Sequence, residues 1–295
     1  MTSTSAKRAA LAARVRARDL TIAPGVYDMM SARIADRMGF TALYMTGYGV
    51  SASHLGLPDA GLATYTDMVS RAGAIAQASA APLIADADTG YGGLLNVRHS
   101  VRGYEAAGVA AIQIEDQEFP KKCGHTPTRR VIPLADMERK IRVAVEARTD
   151  PDFLIVARTD ARTGLGLDEA IRRGRAFAAA GADVVFVESP ESEDEFARVG
   201  QEIDAPLLAN MVESGRSPVI SEARLRELGF SIAIYPASGF TAASAALDAI
   251  YRHLRDTGSS LGTEVPLYPI SDMHTLMGFQ DVWAFDQRWA DEEAR

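Results

Sequence analysis

The segment DADTGYGG at 86–93 sets two carboxylates, Asp86 and Asp88, at the end of an apolar run. In an extended chain alternate side chains point the same way, so the two would face one point and repel unless a cation or a proton lay between them. A hard divalent ion such as Mg²⁺ takes oxygen ligands and keeps several waters, so a few carboxylates hold it. By itself the segment reads equally as an acidic turn whose glycines bend the chain. Glu115, at the end of the next apolar run, favours the metal. A second candidate is KKCGH at 121–125, where the chain's one cysteine, Cys123, stands beside Lys121, Lys122 and His125. Gly124 and the flanking Pro120 and Pro127 make this a loop. Neighbouring cations lower a thiol's pKa and suit it to acid–base work near neutral pH. A Cys–His hydrolase would use the same residues but leaves the acidic run ends unexplained. With no second cysteine and no H-x₃-H spacing, zinc is not indicated. GYGVSA at 47–52 matches G-x-G-x-x-A, but its acidic partner would be Asp67, which falls at a helix start in TYTDMV, so a dinucleotide site is rejected. Its glycines are read instead as letting the backbone approach a small ligand.

The elements that position these residues follow one pattern. Apolar runs near 21–25, 41–46, 82–86, 109–115, 153–158, 182–188, 205–210 and 230–235 read as strands. Ala-rich stretches such as 66–80, 96–107, 134–147, 167–180, 191–202 and 221–228 read as helices. Strands apolar on both faces are parallel and helix-covered. In AAGVA (106–110), AAGAD (179–183) and ELGFS (227–231) a glycine after the last turn caps a helix just before a strand. About eight such units point to a (β/α)₈ barrel, with an open doubly wound sheet as the rival. The chain is expected to be one barrel domain over 1–295: an N-terminal helix in 1–20, a barrel core in 21–240, and a last barrel helix with an extension in 241–295. In that extension Val282, Phe285 and Trp289 share a helical face that needs a covering surface. A barrel's active site lies at the C-terminal ends of its strands. Those ends carry Thr46, Gly47, Tyr48 and Gly49, then Asp86 and Asp88, Glu115 and Asp116, Arg158, Thr159 and Asp160, Glu188, and Asn210.

The chain has 295 residues, 47% hydrophobic and 24% charged, which excludes a disordered or collagen-like polymer. Its formal net charge of −8 argues against non-specific binding to nucleic acid or anionic lipid. No apolar run approaches a membrane span, and the Arg-rich start lacks the apolar block of a secretory signal, so it reads as a polar helix rather than a transit peptide. The lone cysteine fits a reducing, cytoplasmic setting.

YMTGYGVSASHLGLPDAG (44–61), DADTGYGG (86–93), IQIEDQ (112–117), KKCGH (121–125), ARTDA (157–161) and LLANM (207–211) resemble the isocitrate lyase/phosphoenolpyruvate mutase superfamily over about residues 20–255, and within it the short 2-methylisocitrate and 2,3-dimethylmalate lyases. The resemblance implies a Mg²⁺-dependent barrel (Mn²⁺ as a substitute) that cleaves a 2-hydroxy di- or tricarboxylate into an α-keto acid and a carboxylic acid. It also implies a homotetramer with the last barrel helix swapped between subunits. It assigns Asp86 to direct metal contact and Asp59, Asp88 and Glu115 to contact through water. Thr46, Gly47 and Tyr48 would hold a substrate carboxylate, together with Lys121, Gly124, Arg158, Glu188 and Asn210. Cys123 would be the proton donor on a mobile loop, with Tyr44, Arg158 and His125 in the catalytic set. Gln113 stands where 2-methylisocitrate lyases carry His. Val212 and Thr241 replace the Thr and Arg that bind a third carboxylate in those enzymes, which favours an alkylated malate. An oxaloacetate C–C hydrolase is the alternative. A phosphonomutase fits less well because those enzymes lack the CGH loop, and a non-catalytic barrel has no need of a loop thiol.

Overall fold

The computed structural model describes residues 2–124, 126 and 128–293, with side chains to 290. In chain order the elements are α1 (Thr4–Arg16), β1 (Thr21–Val26), α2 (Met29–Arg37), β2 (Leu43–Met45), α3 (Gly47–Val50), α4 (Tyr65–Ala78), β3 (Leu83–Asp86), α5 (Leu94–Ala106), β4 (Ala111–Glu115), α6 (Leu134–Ala147), β5 (Leu154–Thr159), α7 (Ala161–Leu165), α8 (Leu167–Ala179), β6 (Val184–Val187), α9 (Glu193–Glu202), β7 (Leu207–Asn210), α10 (Glu222–Glu227), β8 (Phe230–Tyr235), α11 (Ser238–Thr257), α12 (Ile270–Met277) and α13 (Phe279–Glu293). The eight strands are parallel and pair in sequence order, with β8 returning to β1, so the sheet is a closed (β/α)₈ barrel and not the open rival.

The chain divides into two compact units, Met1–Phe240, which holds the barrel strands, and Thr241–Arg295. Within the first unit, apolar side chains separate into two layers. Tyr44, Ile84, Val156, Phe186, Leu208 and Ile234 belong to a cluster inside the barrel. Residues of opposite parity, such as Met45, Ala85, Ile114, Ala157 and Val187, join the layer between sheet and helices. Alternation with period two makes this division. The three predicted glycine caps hold: Gly108, Gly181 and Gly229 lie at φ +90°, +103° and +83°, where a Cβ would be strained.

Helix α1 closes the N-terminal mouth. Leu11, Ala12 and Val15 are buried in the inner cluster. Lys7 Nζ donates to the carbonyls of Ala76 (2.9 Å) and Ser79, and Arg8 Nε to that of Val109 (2.9 Å). Lys7 and Arg8 of the Arg-rich start are therefore bonded into the barrel floor.

In the second unit α12 and α13 meet at Gly278, and His274 stacks on Phe279 at 4.7 Å. Val282, Phe285 and Trp289 lie on α13 as expected, and all three are exposed. Among the described residues, no helix is long and apolar enough to cross a membrane.

Leu11 is the test of the α1 plug. Leu11→Ala leaves a cavity far from the strand C-termini and should cost about 2–5 kcal/mol. Urea denaturation should show a lower midpoint, while kcat per folded molecule stays unchanged; an unshifted midpoint would mean that α1 is not part of the core.

Candidate active site

Two residues beyond each inward side chain, the same parity brings a polar one to the C-terminal rim. Tyr44 leads to Thr46, Ile84 to Asp86, Gln113 to Glu115, Val156 to Arg158, Phe186 to Glu188 and Leu208 to Asn210. All of these rim residues are buried. The parity argument for the acidic pair stops at Asp86. Asp88 lies at φ +47°, so the chain has left extended geometry there, and its amide donates to Asp86 Oδ1 at 3.0 Å. What gathers the acids is Lys121. Its ammonium contacts Asp59 Oδ1 and lies 2.6 Å from Asp88 Oδ1. The same ammonium therefore compensates both carboxylates. Lys122 turns outward to Thr128 Oγ1 at 3.1 Å. The two lysines that precede Cys123 in sequence thus point their ammonium groups in different directions.

Arg158 is the second centre. Its guanidinium is bidentate on Asp160 (2.9 and 2.8 Å) and lies 3.3 Å from both Glu115 Oε2 and Glu188 Oε2. It also stacks on Phe186 at 5.2 Å from the ring centre. Asn210 Nδ2 donates to Glu188 Oε2 at 3.1 Å. Arg129, from the far end of the 121–125 loop, reaches in to the other side of Asp160. Asp160 is held below the usual carboxylate range: burial pushes it up, but Arg158 and Arg129 outweigh that. Its amide donates to Asp116 Oδ1 at 2.9 Å, while Thr159 Oγ1 and Arg173 Nη1 donate to Asp116 Oδ2 at 2.8 and 3.0 Å.

The buried site holds the carboxyls of Asp59, Asp86, Asp88, Glu115, Asp160 and Glu188 against the cations Lys121, Arg129 and Arg158. Burial accordingly raises the carboxyls of Asp86 and Glu115, and holds that of Asp88 up at about 6. Among the described residues, Glu115 Oε1 has no hydrogen-bond partner although it is buried. Such an imbalance fits a divalent cation. Among the described residues no three His, Cys, Asp or Glu side chains form a ready-made metal cage. A hard ion that keeps most of its waters needs none.

The loop lies over this rim. Cys123, half-buried and not in a disulfide, donates its amide to the Asp59 carbonyl at 3.1 Å. Gly124 packs so closely that a Cβ there would fall 2.6 Å from Arg158 Nη2 and 2.9 Å from the Glu188 carboxyl carbon. Gln117 grips the Lys122 amide and carbonyl at 2.9 and 2.8 Å. His125 lies outside the described residues.

Thr46 caps α3, accepting from the Gly49 amide at 3.3 Å, while Tyr48 is exposed against Phe240. The glycine at 47 also answers to the chain itself. A Cβ at Gly47 would meet Asp86 Oδ2 at 2.5 Å, so the close neighbour is the chain's own carboxylate. Asp67 caps α4 through the Thr64 amide, as its position in TYTDMV required. Tyr44 donates its hydroxyl to Gln113 Oε1 at 3.1 Å, and burial, aided by Asp86, keeps the phenol protonated. Arg129 and Ser189 were missed in sequence, because an arginine in a loop and a serine beside a proline carry no local signal.

A family model described as phosphoenolpyruvate phosphomutase matches residues 11–255. A 2,3-dimethylmalate lyase of Eubacterium barkeri is 48% identical over 92% of this chain and 94% of its own length. A 2-methylisocitrate lyase of Aeropyrum pernix is 42% identical over 90% and 86%. Among solved structures, an oxaloacetate acetylhydrolase in complex with 3,3-difluorooxalacetate superposes with a TM-score of 0.91 at 37% identity, covering 98% of this chain and 99% of that one. A phosphonopyruvate hydrolase complexed with oxalate and Mg²⁺ superposes at 0.87 with 31% identity, covering 96% and 99%.

The close approach at Gly124 has a direct test. Gly124→Ala should push the loop off Arg158 and Glu188 and lower kcat/KM by roughly 10²-fold, the scale of a misplacement of about 1 Å. Thermal unfolding should be unchanged. Wild-type kinetics in this variant would show that the loop does not work from this position.

Proposed function

This chain belongs to the phosphoenolpyruvate phosphomutase family, and from that premise we propose that it cleaves the C2–C3 bond of an alkylated malate such as 2,3-dimethylmalate. It is a carbon–carbon lyase of the phosphoenolpyruvate mutase/isocitrate lyase superfamily. The observation that carries the reading is the juxtaposition of Arg158, an excess of buried carboxylate, and a thiol-bearing loop packed over both.

Asp86 would hold the cation directly, with Asp59, Asp88 and Glu115 holding it through water. When bound, Mg²⁺ (or Mn²⁺) supplies Lewis-acid stabilisation of negative charge on the C2 oxygen. The backbone at Thr46, Gly47 and Tyr48, with Asn210, holds substrate carboxylate, while Lys121 and Gly124 close the site from the loop. Arg158 stabilises the oxygen at C2 as it becomes the keto group. Its contacts with Glu115, Asp160 and Glu188 fix the guanidinium beforehand. The hydroxyl proton passes to a buried rim carboxylate as the C2–C3 pair passes to C3, leaving an α-keto acid and a carboxylate enolate. Cys123 gives its proton to C3 and releases the second acid, while the closed loop excludes water. His125 completes the loop's catalytic set by the resemblance. Tyr44, held by Gln113, acts as a neutral hydrogen-bonding phenol at the site floor.

Val212, two residues beyond Asn210, supports an alkyl group where a tricarboxylate would place a third charge. The TM-score of 0.91 to oxaloacetate acetylhydrolase favours C–C hydrolysis of oxaloacetate as the second reading. The exposed apolar residues Val282, Phe285 and Trp289 support a homo-oligomer, a tetramer with swapped last helices. We place the enzyme in the cytoplasm, in keeping with its single cysteine.

The deciding assay offers 2,3-dimethylmalate, 2-methylisocitrate and oxaloacetate to the purified protein with Mg²⁺ and again with excess EDTA. The dialkylmalate should show the highest kcat/KM, and EDTA should abolish turnover. A buried unpaired carboxylate would cost 2-methylisocitrate at least about 1–3 kcal/mol, roughly ten- to hundredfold. Preference for 2-methylisocitrate or oxaloacetate would assign the chain to one of those activities, and turnover in EDTA would remove the metal.

The proton donor is tested by Cys123→Ser, which keeps the shape but replaces the thiol with a far weaker acid. Turnover should fall by roughly 10²-fold or more, with substrate affinity retained. A Ser variant with wild-type kcat would exclude Cys123 from this role.

A further inference from the structure

Ser189 follows the rim carboxylate Glu188 and is fully buried, yet its backbone is left-handed, at φ +61°. A residue with a Cβ is strained there, and such strain persists only where the surroundings impose it. The hydroxyl identifies what imposes it. Ser189 Oγ lies 3.0 Å from Glu188 Oε1 and 3.2 Å from the carbonyl oxygen of Gly124. Arg129 Nη2 lies 3.5 Å away on the donor side. Both near oxygens are acceptors, and the serine has one proton to share between them. Without that hydroxyl, the loop carbonyl and the buried carboxylate would both lose the donor they share. The other oxygen of Glu188 is taken by Asn210 and Arg158, so Ser189 Oγ sets the carboxylate's remaining freedom.

We propose that Ser189 is a positioning residue that seats the loop bearing Cys123 over the site and at the same time aims Glu188. Its role is exerted through the Gly124 carbonyl and the Glu188 carboxylate. The loop's own anchors, the Cys123 amide on Asp59 and Lys121 on Asp59 and Asp88, lie on the opposite side of the rim. Ser189 supplies the contact on the Glu188 side and so closes the loop across the barrel mouth. The effect on turnover rests on Cys123 as proton donor; the seating of the loop does not.

Two variants of the full-length protein separate the hydroxyl from the backbone. Ser189→Ala removes the hydroxyl and keeps the strain. Ser189→Gly removes the hydroxyl and relieves the strain, because glycine adopts positive φ freely. The first readout is the rate at which iodoacetamide alkylates the protein in the presence of Mg²⁺ and oxalate. The signal is unambiguous because Cys123 is the one cysteine. Loss of one buried hydrogen bond should raise that rate roughly five- to tenfold in both variants. The second readout is steady-state kinetics, where kcat should fall about tenfold in both, with a smaller change in KM, as expected when an interaction made chiefly in the transition state is lost. Wild-type alkylation in Ser189→Gly would overturn the proposal and reduce Ser189 to a strained turn. Should Ser189→Ala fail to fold, the glycine variant alone decides. Should the wild-type protein turn over none of the substrates, the lyase reading fails while the alkylation ratio still judges Ser189.

Discussion

A buried carboxylate is stable only with a cation or a proton against it, and this barrel buries six at one rim. Much of the architecture of the C-terminal face follows from that constraint. Arg158 stands among Glu115, Asp160 and Glu188, and Asp160 in turn receives Arg129. Lys121 is drawn down between Asp59 and Asp88. Two of the three cations come from the segment that follows β4 and carries Cys123. The same electrostatics that stabilise the rim therefore bring the loop onto it. Charge compensation and loop placement are one interaction seen from two sides.

Behind the rim, Asp116 ties the ends of neighbouring strands together. It accepts from the Asp160 amide, Thr159 and Arg173, and Arg173 also donates to the Ile132 carbonyl at 2.9 Å, at the foot of the loop's return. The segment is paired with itself there: Gln117 bridges Val131, and the Glu118 amide donates to the Arg130 carbonyl at 2.9 Å. The loop is thereby rooted at both of its ends. This is the rigidity a site needs in its supporting shell if the reacting groups are to hold their geometry.

The opposite end of the barrel carries the complementary task. Parallel strands leave amides and carbonyls at the N-terminal mouth, and α1 covers them with Leu11, Ala12 and Val15 while Lys7 and Arg8 bond to carbonyls there. Stability is thus invested at the end without chemistry, and the charged rim is left to function.

Much of this was legible in the residues. Glycine-capped helices and apolar runs of strand length point to about eight strand–helix units, because these patterns are local consequences of backbone geometry, while closure of the sheet against the open rival is decided by β8 returning to β1. Once the barrel is granted, period-two alternation sends Asp86, Glu115, Arg158, Glu188 and Asn210 inward to one rim, and the motifs around them carry the family resemblance. Local patterns could not reach the contacts made across the barrel. The alternation argument fails at Asp88, whose left-handed backbone removes it from the strand. The lysines beside Cys123 carry a local signal of charge, but that their ammonium groups bond to Asp59, Asp88 and Thr128 could not be read from the motif. Arg129 and Ser189 had no sequence signal at all, since their partners lie 31 and 65 residues away. The sequence by itself determined which side chains reach the rim, because parity along a strand is a local property. Only the tertiary structure decided which charges compensate which, because electrostatic partners are chosen by distance through space and not by separation along the chain.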